Sequence, residues 1–165
     1  MKTRVAVVCF GLIAMLALLT ATAMAADMLP GTWKLNVAKS KYSPGPAPQS
    51  NIVKFEAING GIKLVADGVD SMGRKTHNEY TAMFDSKDYP TKPMLDGKPN
   101  PNAADTVSYK KIDDYTYEAT TKLKGKTLTV ARHVISKDGK TRTVTTTGTN
   151  AQGQKVNDTT VFEKQ

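Results

Sequence analysis

Tyr80, Tyr109, Tyr117 and Arg132 are the side chains of this chain whose type and position suit chemistry. Each falls at inward parity in a segment that alternates apolar and polar residues. A phenol is an apolar body with a polar tip, and a guanidinium is a permanently charged fork of donors. Among apolar neighbours such as Phe55, Leu64, Phe84, Val130 and Phe162, these groups suit the polar end of a small amphipathic carboxylate or a similar molecule. Each tyrosine equally suits an ordinary core or rim position with its hydroxyl near water. Arg132 shares parity with Leu128, Val130 and Val134, so it is expected to point inward with them. A buried guanidinium needs a partner, since an uncompensated charge is strongly destabilising. That partner is the Trp33 face with backbone carbonyls, an acid such as Asp158, or a ligand. A bulge that turns Arg132 to the surface is the remaining reading.

Catalytic groupings are missing from the sequence. His77 and His133 are the only histidines and fall in separate segments, without the spacing of a metal site. No serine sits in a nucleophile elbow, and neither a phosphate loop nor a dinucleotide fingerprint occurs. The acid pairs Asp113-Asp114 and Asp67/Asp70 lie where turns are expected, and turn formation accounts for them. The expectation is a protein that is not an enzyme and needs no metal or cofactor.

Residues 1–25 read as a cleaved signal peptide. Lys2 and Arg4 give a positive start, Val5 to Leu19 is almost wholly apolar, and Ala23-Met24-Ala25 offers small residues at a cleavage site before Ala26. The apolar run is short for a bilayer span, which needs about 20 residues. The single cysteine, Cys9, leaves with the leader, so residues 26–165 are expected to form one domain without disulfides, in the periplasm or outside the cell. The formal charge of +8 is spread over many turns rather than gathered in a block, which suits a solvated surface. Export and the lack of a basic helix argue against a nucleic-acid partner, and no membrane span is expected after cleavage.

The elements that must position these residues are strands. Prolines cluster at Pro44, Pro46 and Pro48 and again at Pro90, Pro93, Pro99 and Pro101, and none follows. Proline cannot donate to a ladder, so the proline-free stretch to Gln165 can hold uninterrupted paired strands. Alternation and turn residues predict strands near 31–36, 51–58, 62–69, 75–84, 106–112, 115–123, 127–135, 141–149 and 155–163. Asn59-Gly60-Gly61, Lys124-Gly125 and Asp138-Gly139 accept the positive φ of tight hairpins. The pattern Gly68-x-Asp70-x-x-Gly73-x-Lys75 recurs as Gly148-x-Asn150-x-x-Gly153-x-Lys155, through shared turn chemistry or duplication of a hairpin. A run of consecutive antiparallel strands must hide its edges. The expected fold is therefore all-β, an antiparallel up-and-down barrel of about 8 to 10 strands, with a two-sheet sandwich as the competitor. The segment from Asp88 to Asp105 is long for a hairpin and reads as a lid over the barrel mouth or as an ordered connection.

Gly31-Thr32-Trp33 at the head of the first strand resembles the Gly-x-Trp signature of the lipocalin and calycin superfamily. Gly31 to Asn36, Lys39-Ser40, Ser43 to Pro48 and the run from Ser136 through Gly153 resemble small exported lipocalin-like bacterial proteins of unknown function. The resemblance implies a barrel whose interior binds a small, often apolar molecule. It also implies that Gly31 and Trp33 form the barrel base, with the tryptophan under a basic side chain from a late strand, Arg132 or alternatively Arg142. The lack of disulfides and of an evident C-terminal helix departs from typical lipocalins. The functional expectation is non-enzymatic binding of a small hydrophobic or amphipathic molecule. A protein-interaction or inhibitor module with a filled core, using the proline-rich loops and basic turns, is the alternative.

Overall fold

Period-two alternation can bury one face of a strand and wet the other, and the computed structural model, which describes residues 27–165, is built from strands and turns throughout. The strands are β1 (Gly31–Lys41), β2 (Ser50–Ile58), β3 (Gly61–Val69) and β4 (Lys75–Met83). Three short ones follow, β5 (Tyr89–Pro90), β6 (Met94–Leu95) and β7 (Lys98–Pro99). Then come β8 (Thr106–Lys111), β9 (Thr116–Leu123), β10 (Lys126–Ile135), β11 (Thr141–Thr149) and β12 (Lys155–Lys164). Among the described residues no helix is long and apolar enough to cross a membrane. The expected leader lies outside the described residues.

All twelve strands belong to one antiparallel sheet in the order β5-β8-β9-β10-β11-β12-β1-β2-β3-β4-β6-β7. A single, strongly curled sheet replaces the alternative of two packed sheets. Chain order is kept around it. β1 enters between β2 and β12, with Trp33 opposite both Val53 and Lys164, and Leu35 opposite Phe162. The remaining gap lies between β4 and β8. An isolated bridge from Asp85 to Lys110 and the bond from Ser86 N to Tyr109 O (3.0 Å) span it at one end. At the other end the proline-rich crossing fills it: Tyr89 pairs with Val107 on β8, Lys92 N donates to Glu79 O on β4 (3.1 Å), and Met94 pairs with His77. Residues 88–105 therefore form part of the wall.

β1 runs past the expected end at Asn36. It bulges there and pairs again at Lys41, opposite Thr159. Ser40 Oγ donates to Asn36 O (2.7 Å), while Asn36 Oδ1 accepts from Lys39 N (3.1 Å), so the bulge is held by its own polar side chains. The two repeated turn motifs are the same object. Asp70 Oδ1 accepts from Met72 N and Arg74 N at 2.9 and 3.0 Å, and Asn150 Oδ1 accepts from Gln152 N and Gln154 N at 3.0 and 2.9 Å. Each is a side-chain-closed turn with a glycine at positive φ, Gly73 at 81° and Gly153 at 82°.

One end of the barrel is plugged. Leu29 and Trp33 are fully buried, and the indole N–H donates to Leu29 O at 2.8 Å. Ile62, Ala82, Tyr117 and Ile135 pack into the same core. Lys164 Nζ lies 5.1 Å from the Trp33 ring centre and its chain crosses over Gly31. A Cβ on Gly31 would come within 2.5 Å of the Lys164 side chain, and its φ of 132° is costly for any L side chain. Just before β1, Asp27 ion-pairs with Lys111, which also meets Asp114 at 2.9 Å. Those two carboxylates hold the Lys111 ammonium well above its ordinary value.

Trp33 is the only tryptophan, so its fluorescence reports this plug directly. Its emission is expected to be blue-shifted and poorly quenched by iodide. Trp33→Ala is expected to cost about 3–5 kcal/mol in denaturant unfolding. Water-like emission in the native protein would show that the plug is open.

Candidate functional site

Above the plug the barrel is not filled. Small residues take inward positions on adjacent strands: Ala119 on β9 lies directly opposite Ala131 on β10, and Ala66 faces inward from β3. The hollow they leave has a volume of about 240 Å³ and opens to solvent on one side. Val53, Leu64, Val107 and Val144 form apolar walls, with Asn78, Thr121 and Thr160 as polar interruptions. The remaining polar groups are Tyr80, Tyr109, His133 and Arg142.

Arg142 is 2% exposed and lies over three rings, its guanidinium carbon 4.2 Å from the centre of Phe162, 4.9 Å from Phe55 and 5.6 Å from Trp33. The Thr-Arg-Thr-Val alternation of β11 places it inward with Val144, opposite Phe162 on β12. Its one side-chain hydrogen bond runs from Nη1 to Nδ1 of His133, at 3.1 Å. Its Nε–H, also buried, has no partner. Among the described residues no carboxylate forms an ion pair with it. Burial pulls the guanidinium down to about 10, opposed by the phenols of Tyr109 and Tyr80, so it stays charged at neutral pH.

His133 is 6% exposed. Desolvation, with the neighbouring Arg142 charge second, holds it down to about 3. The ring is therefore neutral, and since Nδ1 accepts from Arg142, its proton sits on Nε2. The Tyr80 and Tyr109 hydroxyls are 3.0 Å apart. Burial pushes both phenols up, so both stay protonated. One donates to the other, and the acceptor's own proton remains free.

The sequence-derived candidates divide. Tyr80 and Tyr109 line the hollow together. Tyr117 does not: it is fully buried in the plug, with its hydroxyl 3.3 Å from Asp27 and 3.4 Å from Asp114 O. Arg132 is exposed, which corrects the expectation that it points inward. The register of β10 against β9 shifts between Thr127 and Thr129, so Leu128 sits at an irregularity and cannot set the parity. Beyond it Thr129, Ala131, His133 and Ile135 face inward and Val130, Arg132 and Val134 outward; Val134 is 44% exposed. Valine is at home on either face of a pleated sheet, so it gave a false parity signal. Arg142, the alternative, holds the position above Trp33. His133 was missed as a lining residue; the signal available was its spacing from Ile135. His77 lies apart from it, with Nδ1 2.8 Å from Asp67.

A larger hollow of about 560 Å³ lies between the proline-rich crossing and the β9–β10 turn, walled by Pro93, Met94, Pro99, Pro101 and Leu123. It offers apolar shape without a buried charge, whereas the smaller interior hollow holds one. In comparisons with known proteins the chain matches no protein family, no curated protein and no solved structure.

His133 makes stability pH-dependent with a definite sign. Burial holds its native pKa at about 3, below the ordinary imidazole value of 6.5. Above that value neither state is protonated and its contribution is fully present. As pH falls from there toward 3 the unfolded chain takes a proton that the native one refuses, so stability declines. His133→Gln keeps an acceptor for Arg142 and removes this loss. The wild type is expected to lose up to about 1.4 kcal/mol per pH unit relative to the variant between pH 6 and 4, measured by urea unfolding. Parallel curves would place the imidazole in water.

Proposed function

We propose that this protein binds a small hydrophobic or amphipathic molecule inside its barrel, without catalysis, in the periplasm or outside the cell. The hollow carries this reading. In a barrel of this size the interior is either filled by side chains or left to hold one ligand, and here alanines stand at facing positions where leucine or phenylalanine would close the space. Apolar walls around a few convergent polar groups are the common composition of a small-molecule site. The Gly-Thr-Trp opening and its resemblance to lipocalin-like exported proteins favour the same reading, as does the leader pattern for the compartment.

The volume bounds the guest. A cavity of roughly 150 Å³ takes benzene, and drug-sized ligands fill about 300–1,000 Å³; 240 Å³ lies between. A single ring or a short chain fits, and a long-chain lipid does not.

Filling the space tests the proposal. Ala131→Leu is expected to abolish binding of small apolar probes such as toluene, followed by chemical-shift changes at the Val53, Leu64 and Val144 methyls. The melting temperature is expected to hold or rise, because the new side chain occupies a void. Probe-induced shifts confined to Leu123 and Met94 in the wild type would move the site to the outer hollow and overturn the reading.

A further inference from the structure

We propose that the guest is a monoanion, a carboxylate on a short apolar body, and that its carboxylate seats against the Arg142 guanidinium. This rests on the barrel interior being the binding site and adds the chemistry of the head group.

The charge balance of the interior leads there. Arg142 is buried, charged and without a carboxylate partner among the described residues. The rings of Phe162, Phe55 and Trp33 cover it, and their π faces attract the cation without neutralising it. A buried guanidinium ordinarily meets a carboxylate; here that partner is missing, and Arg142 lines the hollow. The residues lining the hollow include no Asp, Glu or Cys.

The donor inventory agrees. The Arg142 guanidinium spends one N–H, on His133. His133, its Nδ1 engaged with Arg142, keeps a proton on Nε2. The Tyr80–Tyr109 pair keeps one free hydroxyl proton. Three donors with a net positive charge among them ask for a guest group that accepts only. A carboxylate accepts through two oxygens and supplies one negative charge, balancing one guanidinium. A phosphate dianion would leave a negative charge buried in excess. An alcohol or amide would leave the guanidinium uncompensated, and an amine would add a second cation. The basic chain, +8 over the full sequence and +6 without Lys2 and Arg4 of the leader, favours approach of an anion from solution.

Octanoate and 1-octanol, matched in chain length, separate the possibilities when titrated into the folded protein at pH 7 by calorimetry. Octanoate is expected to bind at least about tenfold tighter, the margin of a charge-assisted hydrogen bond. In the same protein the guanidinium ¹⁵N and ¹H resonances of Arg142 are expected to move on octanoate addition and to stay put on octanol addition. That readout needs no variant. Arg142→Lys keeps a cation and removes the planar fork of donors, and is expected to lose most of the preference. Arg142→Met removes the charge and is expected to favour octanol. Binding of octanol as tightly as octanoate would overturn the head-group assignment while leaving the barrel as the site. A preference for octanoate with unmoved Arg142 guanidinium signals would also overturn it, placing the carboxylate elsewhere. If neither molecule binds, the interior is not a binding site and both readings fall.

Discussion

The Arg142 guanidinium, buried against Trp33, Phe55 and Phe162, divides the barrel interior into a packed half and a hollow half. Below it, fully buried Leu29 and Trp33 close the base, and Lys164 covers the other approach to the indole from outside. Above it, alanines open the space. Trp33 thus has two cations near its ring, at 5.6 Å from Arg142 and 5.1 Å from Lys164. Desolvated cation–π contacts are each worth up to about 2 kcal/mol, and Gly31 is the residue that lets one of them form. The Gly-x-Trp opening therefore has a local physical reason: the glycine leaves room for the lysine that lies over the tryptophan.

A curled sheet must also settle its edges. The long strands follow chain order, and the discontinuity between β4 and β8 is where unpaired N–H and C=O groups would otherwise face solvent. The proline-rich crossing supplies short pairings to both sides and ends the sheet in β5 and β7, each two residues long and each containing a proline. Proline at an edge withholds the donor that another chain would need. The composition that marked this segment as a possible lid is equally the composition of a protected edge, and spatial position decides between them.

Much of the fold was legible because its signals are local. Strand alternation, Asp-Gly and Asn-x-x-Gly turns and the proline clusters each act over a few residues, and the Asp70 and Asn150 turns repeat one hydrogen-bond pattern from one motif. What failed was long-range parity. Arg132 was placed inward because Val130 and Val134 share its face, yet the irregularity at Leu128 shifts the register. Tyr117 failed differently: its inward direction was right, but its height along the barrel axis depends on which end Leu29 and Asp27 close. Tyr80 and Tyr109 sit deeper in the hollow because β4 and β8 present them away from that plug. Inward parity is a property of one strand, whereas depth is a property of the whole sheet.

The hollow and the unpartnered charge are two independent departures from a filled core. Each has a simple remedy. Leucine at position 119 or 131 would add apolar contacts, and an acid at any inward position near Arg142 would neutralise it. Sequences tend to agree with their fold at every level, and local disagreements concentrate at functional sites. Here both fall within the same space, and they complement each other: the alanines provide volume for an apolar body, and Arg142 provides the charge that a polar end would answer. A structural role over Trp33 requires only the faces of the guanidinium, which the rings already occupy. It leaves the missing counter-charge unexplained, and a guest in the hollow that Arg142 lines would supply it.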